Sequence, residues 1–199
     1  MRVSNIRIVD YRRTAMREKT NRYTFTAAGL HWLIAVLIFI GFGIGWVMTD
    51  IPGLTPTKLR YYAWHKWIGI TIFMLVCLRV AWRLTHRPPP LPPMARWQRL
   101  AANATHATLY GLMIVIPLAG YLYSYAAGVP VVYFGLIELP PLITPNPAHK
   151  DIFKYIHIGL NYTMAALVIA HIAAALAHQF VLRDGLLWRM LPFRKEQGA

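Results

Sequence analysis

Four apolar segments, each more than twenty residues long, constrain the fold of this chain more than any other feature of its sequence. They cover residues 26–48, 61–84, 102–125 and 151–179. A helix needs about 20 mainly apolar residues to cross a hydrocarbon core roughly 30 Å thick. The chain of 199 residues is 57% hydrophobic and only 14% charged, which is less charge than a soluble domain of this size carries. We therefore predict an all-α fold, an integral membrane four-helix bundle.

The connectors between the segments differ in character. Asp50-Ile-Pro-Gly ends the first segment, and the proline-rich residues 87–99 predict a stiff, extended connector because proline cannot continue a helix. Pro117 lies inside the third segment, where we expect a kink. Residues 126–150 are unusually apolar for a loop, so we expect them to lie on the membrane surface and to cover part of the bundle.

Positive charge is concentrated at one end of the predicted bundle. Sixteen of the 21 Lys and Arg residues fall in the N-terminal tail, around the connector between the second and third segments, or in the C-terminal tail. Because regions rich in Lys and Arg stay in the cytoplasm, both termini are predicted to be cytoplasmic. The chain then divides into a basic cytoplasmic tail (1–24), a four-helix membrane domain (25–180) and a basic C-terminal tail (181–199). Topology accounts for the net charge of +14, and we predict no nucleic-acid partner.

Four histidines lie inside the apolar segments at related depths. The fourth segment carries His157 and His171, which are fourteen residues apart and project from the same face of a helix, separated by about 21 Å. His31 and His65 each lie about five residues into the first and second segments. In the predicted topology, His65 and His157 share the outer level of the membrane, whereas His31 and His171 share the inner level.

Two histidine pairs at two depths are the ligands that two bis-histidine b-type haems require. The lone Cys77 excludes internal disulfides, Cys-ligated metal clusters and haem attachment through a C-x-x-C-H motif. A proton relay or a transition-metal site built from the same imidazoles is the rival interpretation. A relay is disfavoured because every acidic residue lies in a loop, in a tail or at a membrane edge, whereas the metal site stays open.

Other polar residues near the inner level have more than one interpretation. His106 is a spare ligand, a hydrogen-bond donor to a quinone or an interfacial residue. Arg79 and Arg83 either pair with haem propionates or anchor their helix at the membrane surface. His178 faces the same way as His171 but lies about 10 Å further along the helix, so His171 is the preferred ligand.

Several motifs occur together over residues 25–192. They are GLHW (29–32), WHKWIG (64–69), H-x-x-L-Y-G-L-M-I-x-I-P-L-x-G (106–120), FGL (134–136) and H-I-A-A-A-L-A-H-Q-F-x-x-R-D-G-x-L-x-R-M-x-P (171–192). Together they resemble the bacterial cytochrome b-561 family, and more distantly the cytochrome b subunits of formate dehydrogenase and nickel–iron hydrogenase.

The resemblance implies a multi-pass protein of the bacterial inner membrane with two b-type haems. Their axial ligands would be His31, His65, His157 and His171. It further implies electron exchange with the quinone pool and, in one branch of the family, oxidation of superoxide at the outer face with reduction of ubiquinone at the inner face. The N-terminal extension is longer than that branch implies, which leaves the electron donor open.

Two hypotheses for the function follow. The first is an oxidoreductase that passes electrons from superoxide to ubiquinone, with His106 or Asn103 contacting the quinone. The second is a non-enzymatic subunit that exchanges electrons with a periplasmic redox protein. A basic cluster at the outer level either attracts the anionic donor or simply reaches the membrane interface. Its members are Lys58, Arg60, Lys66, Lys150 and Lys154.

Overall fold

Four long helices make up most of the chain in the computed structural model, which describes residues 22–191. They are α1 (Phe25–Asp50), α2 (Pro56–Thr85), α3 (Arg96–Ala126) and α4 (Pro147–Ala177). Each helix is long and apolar enough to cross a membrane, which confirms the predicted all-α membrane bundle. The predicted N-terminal tail, except for residues 22–24, and residues 192–199 of the C-terminal tail lie outside the described residues.

Three of the four helices begin at polar caps that lie outside the apolar segments. Thr24 and Thr55 accept hydrogen bonds from backbone amides of α1 and α2, and Asn146 does the same for α4. Pro56 and Pro147 occupy first-turn positions, where a missing amide hydrogen costs nothing. Consequently α2, α3 and α4 start four to six residues before the apolar segments, because hydropathy marks only the part of a helix that lies within the membrane.

The bundle is built from two helix pairs. The α1 helix packs along α2, α3 packs along α4, and α2 joins α3, whereas α4 makes few close backbone approaches to α1 or α2 within the described chain. A small core of Ile34, Ile72 and Val76 lies between α1 and α2 and extends toward α3. Large apolar side chains cover much of the outer surface, as expected where lipid replaces water. The arrangement leaves a seam between α4 and the first two helices.

A two-stranded antiparallel ribbon lies within residues 126–150. Its strands are β1 (Val132–Tyr133) and β2 (Ile137–Glu138). Phe134 and Gly135 at the turn both have positive φ angles, and the chain reverses sharply there. A bulky residue such as Phe rarely adopts this conformation. Trp67 on α2 donates its indole hydrogen to the Val132 carbonyl at 2.7 Å. The segment predicted as a surface loop thus contains a ribbon that packs on one side of α2.

The C-terminal segment closes the end of the bundle that is predicted to face the cytoplasm, hereafter the inner end. After α4 the chain continues through a π-helical turn (His178–Leu182) and a 3-10 turn (Leu187–Met190). The indole of Trp32 donates to the Met190 carbonyl at 2.8 Å, and Arg189 donates to the Pro90 carbonyl at 2.9 Å. The start of α1 and the connector after α2 are therefore joined through the C-terminal segment.

Candidate functional site

The four predicted ligand histidines all project into the seam. Across it, His65 of α2 faces His157 of α4 with ring centroids 6.1 Å apart, and His31 of α1 faces His171 of α4 at 6.3 Å. The two rings of each pair are steeply inclined to each other, at 85° and 71°. The structure therefore brings together the same two pairs that depth in the membrane predicts.

The outer pair is fixed by the protein backbone. The Nδ1 atom of His65 lies 3.2 Å from the Gly41 carbonyl, and Nδ1 of His157 lies 3.0 Å from the Ile116 carbonyl. Because a carbonyl oxygen only accepts, each Nδ1 must carry the proton in these hydrogen bonds. The lone pair of each neutral ring is then on Nε2, which is the state required for binding a metal.

A cavity of about 370 Å³, counted out to its open mouth, lies beside His65 in the seam. Its lining is mostly apolar and comes from α1, α2 and α4: Ile38, Gly41, Phe42, His65, Ile68, Gly69, Ile72, Asn161 and Met164. Asn161, the polar lining residue besides His65, donates its amide to the His157 carbonyl one turn earlier, at 2.7 Å. An apolar slot of this kind suits a flat, largely hydrophobic cofactor.

The inner pair lies in a different environment, because a third imidazole joins it. The ring of His106 on α3 lies 5.4 Å from that of His171, closer than the ring of His31. Within residues 22–191, none of these three rings takes part in a hydrogen bond. His106 is thus half-buried beside the inner pair, and its three interpretations stay open.

The two arginines predicted near the inner level have different surroundings. Arg79 is only 9% exposed, and its guanidinium donates to the Tyr110 hydroxyl at 2.8 Å and to the Ala27 carbonyl. Arg83, one turn further along α2, is exposed and lies 5.9 Å from the centroid of the Tyr110 ring. Arg79 therefore ties α2 to α1 and α3, while Arg83 remains available at the rim.

A basic cleft of about 390 Å³, counted out to its open mouth, lies at the inner end of α1, α2 and α3. Its lining includes Arg22, Arg79, Arg83, Arg87 and His86, together with Tyr110 and Trp82, and contains no carboxylate. A positively charged cleft without an acidic neighbour favours an anionic group such as a carboxylate.

The described acidic residues all lie away from the seam. They are Asp50 at the end of α1, Glu138 in β2, Asp151 just after the first turn of α4, and Asp184 after the π-helical turn. The described chain also contains no cluster of three or more His, Cys, Asp or Glu side chains arranged to hold a metal ion directly. The first observation disfavours a proton relay, which would add carboxylates inside the membrane.

The residues present fit b-type haem. Two imidazoles bound through nitrogen to one metal, at about 2 Å each, place their ring centroids roughly 6 Å apart. Both seam pairs match this separation, and the outer rings direct a free Nε2 away from their backbone partners. In contrast, Nδ1 of His178 lies 2.5 Å from a carboxylate oxygen of Asp184. This contact is consistent with the preference for His171 over His178.

Several residues of the site have only weak signals in the sequence. Asn161 lies four residues after His157, a spacing that places its side chain beside the His157 carbonyl on a helix. Tyr110 occurs within the motif of the third segment but carries no charge or metal-binding group. The acceptors Gly41 and Ile116 contribute only backbone carbonyls, which no sequence pattern marks.

The comparison with known proteins covers almost the whole described chain. The family described as Prokaryotic cytochrome b561 matches residues 22–193. "Cytochrome b561 homolog 2" of Escherichia coli (strain K12) is 36% identical over 180 residues, covering 85% of this chain and 91% of the relative. "Cytochrome b561 homolog 1" of the same organism is 30% identical over 178 residues, covering 88% and 99%.

A third relative has a name that states an activity. "Probable superoxide oxidase CybB" of Yersinia pestis is 30% identical over 179 residues, covering 87% of this chain and 98% of the relative. The matched region contains all four helices and both histidine pairs. The chain thus belongs to the prokaryotic cytochrome b561 family, multi-pass membrane proteins that bind b-type haem and transfer electrons.

Proposed function

We propose that this protein transfers electrons across the bacterial inner membrane through two b-type haems and exchanges them with the quinone pool. His65 and His157 would hold the outer haem, and His31 and His171 the inner one. The observation that carries the proposal is the meeting of these two pairs across the open seam, at separations of 6.1 and 6.3 Å. When bound, each haem supplies an iron centre that takes up and releases one electron.

The surrounding side chains support this role in different ways. Backbone carbonyls orient the rings of His65 and His157, and the apolar lining of the outer cavity excludes water from the seam. At the inner end, Arg83 is exposed at the rim of the basic cleft and would pair with a propionate of the inner haem. Arg79 is already bound to Tyr110 and Ala27, so it contributes charge to that region while fixing the helices.

The haem proposal is tested by haem content and reduced-minus-oxidised spectra of the purified protein. The wild type should contain about two haems per chain with a b-type spectrum. His157→Ala and His171→Ala should each lose a different haem, whereas His149→Ala, on the outermost turn of α4, should keep both. Retention of both haems by the first two variants would contradict the proposed ligand pairs.

Quinone exchange is proposed for the inner end. His106 lies beside His171 and is half-buried, so an imidazole hydrogen-bond donor is available next to the inner haem site. Asn103, about one helical turn earlier on α3, is exposed on the approach to it. Reduction of a soluble ubiquinone analogue by the pre-reduced protein should slow in His106→Ala while haem content stays unchanged. An unchanged rate would exclude His106 from the quinone site.

Superoxide is the proposed electron donor at the outer end. Two superoxide anions would each give up one electron, and ubiquinone would take up both electrons with two protons to form ubiquinol. Lys66 and Lys154 lie within one turn of His65 and His157, respectively, and are half-buried, so they place positive charge near the outer pair. The name of the Yersinia pestis relative supports this donor.

Rapid mixing with superoxide separates this donor from the alternative. The purified protein should be reduced by superoxide and should then reduce a quinone, with a rate that falls as salt increases. Lys66→Ala with Lys154→Ala should weaken the salt dependence. A protein that retains both haems but does not react with superoxide would favour the alternative.

A periplasmic redox protein is the alternative partner, and the outer ribbon favours it. Phe134 and Leu136 at its turn are exposed, Leu136 at 85%, and Lys66 donates to the carbonyl of Pro130 just before the ribbon, at 3.4 Å. An exposed apolar tip next to positive charge is suited to an acidic protein surface. Shortening the ribbon turn should abolish electron transfer from such a partner while leaving reduction by superoxide intact.

A further inference from the structure

We propose that Gly45 and Gly120 are positioning residues for the outer haem, an inference that rests on the proposed haem function. Each glycine lets a histidine ring lie directly against the backbone of a neighbouring helix. Each ring can then donate its Nδ1 hydrogen to the carbonyl one turn earlier in that helix. The two glycines thereby fix the orientation and the protonated nitrogen of both outer ligands.

The same arrangement occurs twice, on two different helices. On α3, His157 approaches the Ile116 carbonyl at 3.0 Å, and Gly120 follows four residues later. On α1, His65 approaches the Gly41 carbonyl at 3.2 Å, and Gly45 follows four residues later. Because residues four apart are stacked along a helix, the ring covers the glycine while its nitrogen meets the carbonyl.

A side chain at either glycine would collide with the histidine ring. A Cβ atom on Gly120 would lie 2.9 Å from Cε1 and 3.1 Å from Nδ1 of His157, which is too close without a shift of the ring. A Cβ atom on Gly45 would lie 3.2 Å from Cε1 and 3.5 Å from Nδ1 of His65, which a small displacement can relieve. We therefore expect a stronger effect at Gly120 than at Gly45.

Other helical glycines of the described chain provide matched controls. A Cβ atom would meet no atom within 4 Å at Gly43 on α1 or at Gly111 on α3. Alanine at these two positions tests the general effect of replacing glycine in the same helices. Any difference between Gly43→Ala and Gly45→Ala, or between Gly111→Ala and Gly120→Ala, is therefore due to the neighbouring imidazole.

The hydrogen bonds also have a chemical consequence. An imidazole that donates its second nitrogen hydrogen to a carbonyl is a more basic metal ligand, which stabilises the oxidised metal. The inner rings lack such bonds within the described residues. We therefore expect the outer haem to have the lower midpoint potential, and we expect weakening of its ligands' hydrogen bonds to raise that potential.

The test combines haem content, redox titration and electron paramagnetic resonance on the four variants. Gly120→Ala should fall from about two haems per chain to about one, and the spectrum of the remaining haem should match that of His157→Ala. Gly45→Ala should keep both haems but show an altered resonance signal and a raised potential for the outer haem. Gly43→Ala and Gly111→Ala should match the wild type.

The remaining haem of Gly120→Ala serves as an internal control for folding. Loss of both haems from this variant would show a general folding defect and overturn the assignment to the outer haem. If the wild type contains two haems but Gly45→Ala and Gly120→Ala both match their controls, this inference is overturned and the proposed function is not. A wild type without haem would instead contradict the proposed function.

Discussion

The outer and inner halves of the seam hold similar histidine pairs in different ways. At the outer end, both rings are bound to backbone carbonyls of neighbouring helices and lie against glycines. At the inner end, three imidazoles cluster beside Arg79, and none of their rings is hydrogen-bonded within the described chain. Backbone atoms therefore orient the outer ligands, whereas packing alone positions the inner ones.

This difference indicates how one bundle can exchange electrons with two different partners. A backbone carbonyl moves only when its helix moves, so the outer pair is rigidly defined. Because no hydrogen bond holds the inner rings within the described residues, their side chains can rearrange, and the neighbouring Arg79 also lines the basic cleft. Such adaptability suits an end where a quinone must enter, react and leave, while a rigid end suits electron uptake without a bound substrate.

The largest expected effect tests which two of the three inner imidazoles hold the haem. His31→Ala should lose the inner haem, about half of the total, because His31 and His171 face each other across the seam at a separation suited to one iron. His106→Ala should keep both haems. Haem content and the spectrum of each purified variant provide the measurement, and the reverse result would make His106 the ligand.

The next effect concerns the inner fold. Arg79→Ala removes a buried guanidinium and leaves the Tyr110 hydroxyl and Ala27 carbonyl without their donor. We expect a loss of about 2 kcal/mol of stability, seen as a lower midpoint of thermal unfolding in detergent. Arg99→Ala, exposed near the start of α3, is the control and should change stability by less than about 0.5 kcal/mol. Equal effects would show that the Arg79 hydrogen bonds contribute nothing specific.

A smaller effect is expected at the outer ribbon. Trp67→Phe keeps an aromatic ring but removes the indole hydrogen that Val132 accepts at 2.7 Å. We expect a local loss of about 1 kcal/mol, with faster hydrogen exchange in residues 130–139 and unchanged haem content. Trp64→Phe is the matched control because the Trp64 indole makes no hydrogen bond within the described residues. Equal exchange rates in the two variants would argue against this bond as the anchor of the ribbon.

The smallest effect compares the helix caps at the two ends. The Thr24 hydroxyl accepts from the Ala27 amide at 3.2 Å and also from the Trp82 indole at 3.0 Å, whereas within residues 22–191 the Thr55 hydroxyl accepts from the Lys58 amide alone, at 3.2 Å. Thr24→Ala should therefore be more destabilising than Thr55→Ala, by roughly 0.5 kcal/mol. Thermal unfolding of both variants under one condition measures this difference. A larger loss at Thr55 would show that the indole bond adds nothing at the inner end.

The four helices, their order and the grouping of the histidines could all be predicted from the sequence. Each of these follows from local features: the length of an apolar segment, the angular position of residues fourteen apart, and the distribution of Lys and Arg. The assignment of both termini to the cytoplasm and the ligand roles of His31, His65, His157 and His171 remain predictions. The structure adds that the members of each pair lie close enough to share one metal.

The surroundings of those histidines are seen only in the tertiary structure. The carbonyl of Ile116 meets His157 from 41 residues away, and Arg79 reaches Tyr110 across 31 residues. His106 joins His171 because α3 packs along α4, and the ribbon covers α2 because Trp67 reaches Val132. These contacts depend on how helices rotate and pack against one another. The helical period and the charge of a segment do not specify that rotation, so the segment's own sequence cannot reveal its partners.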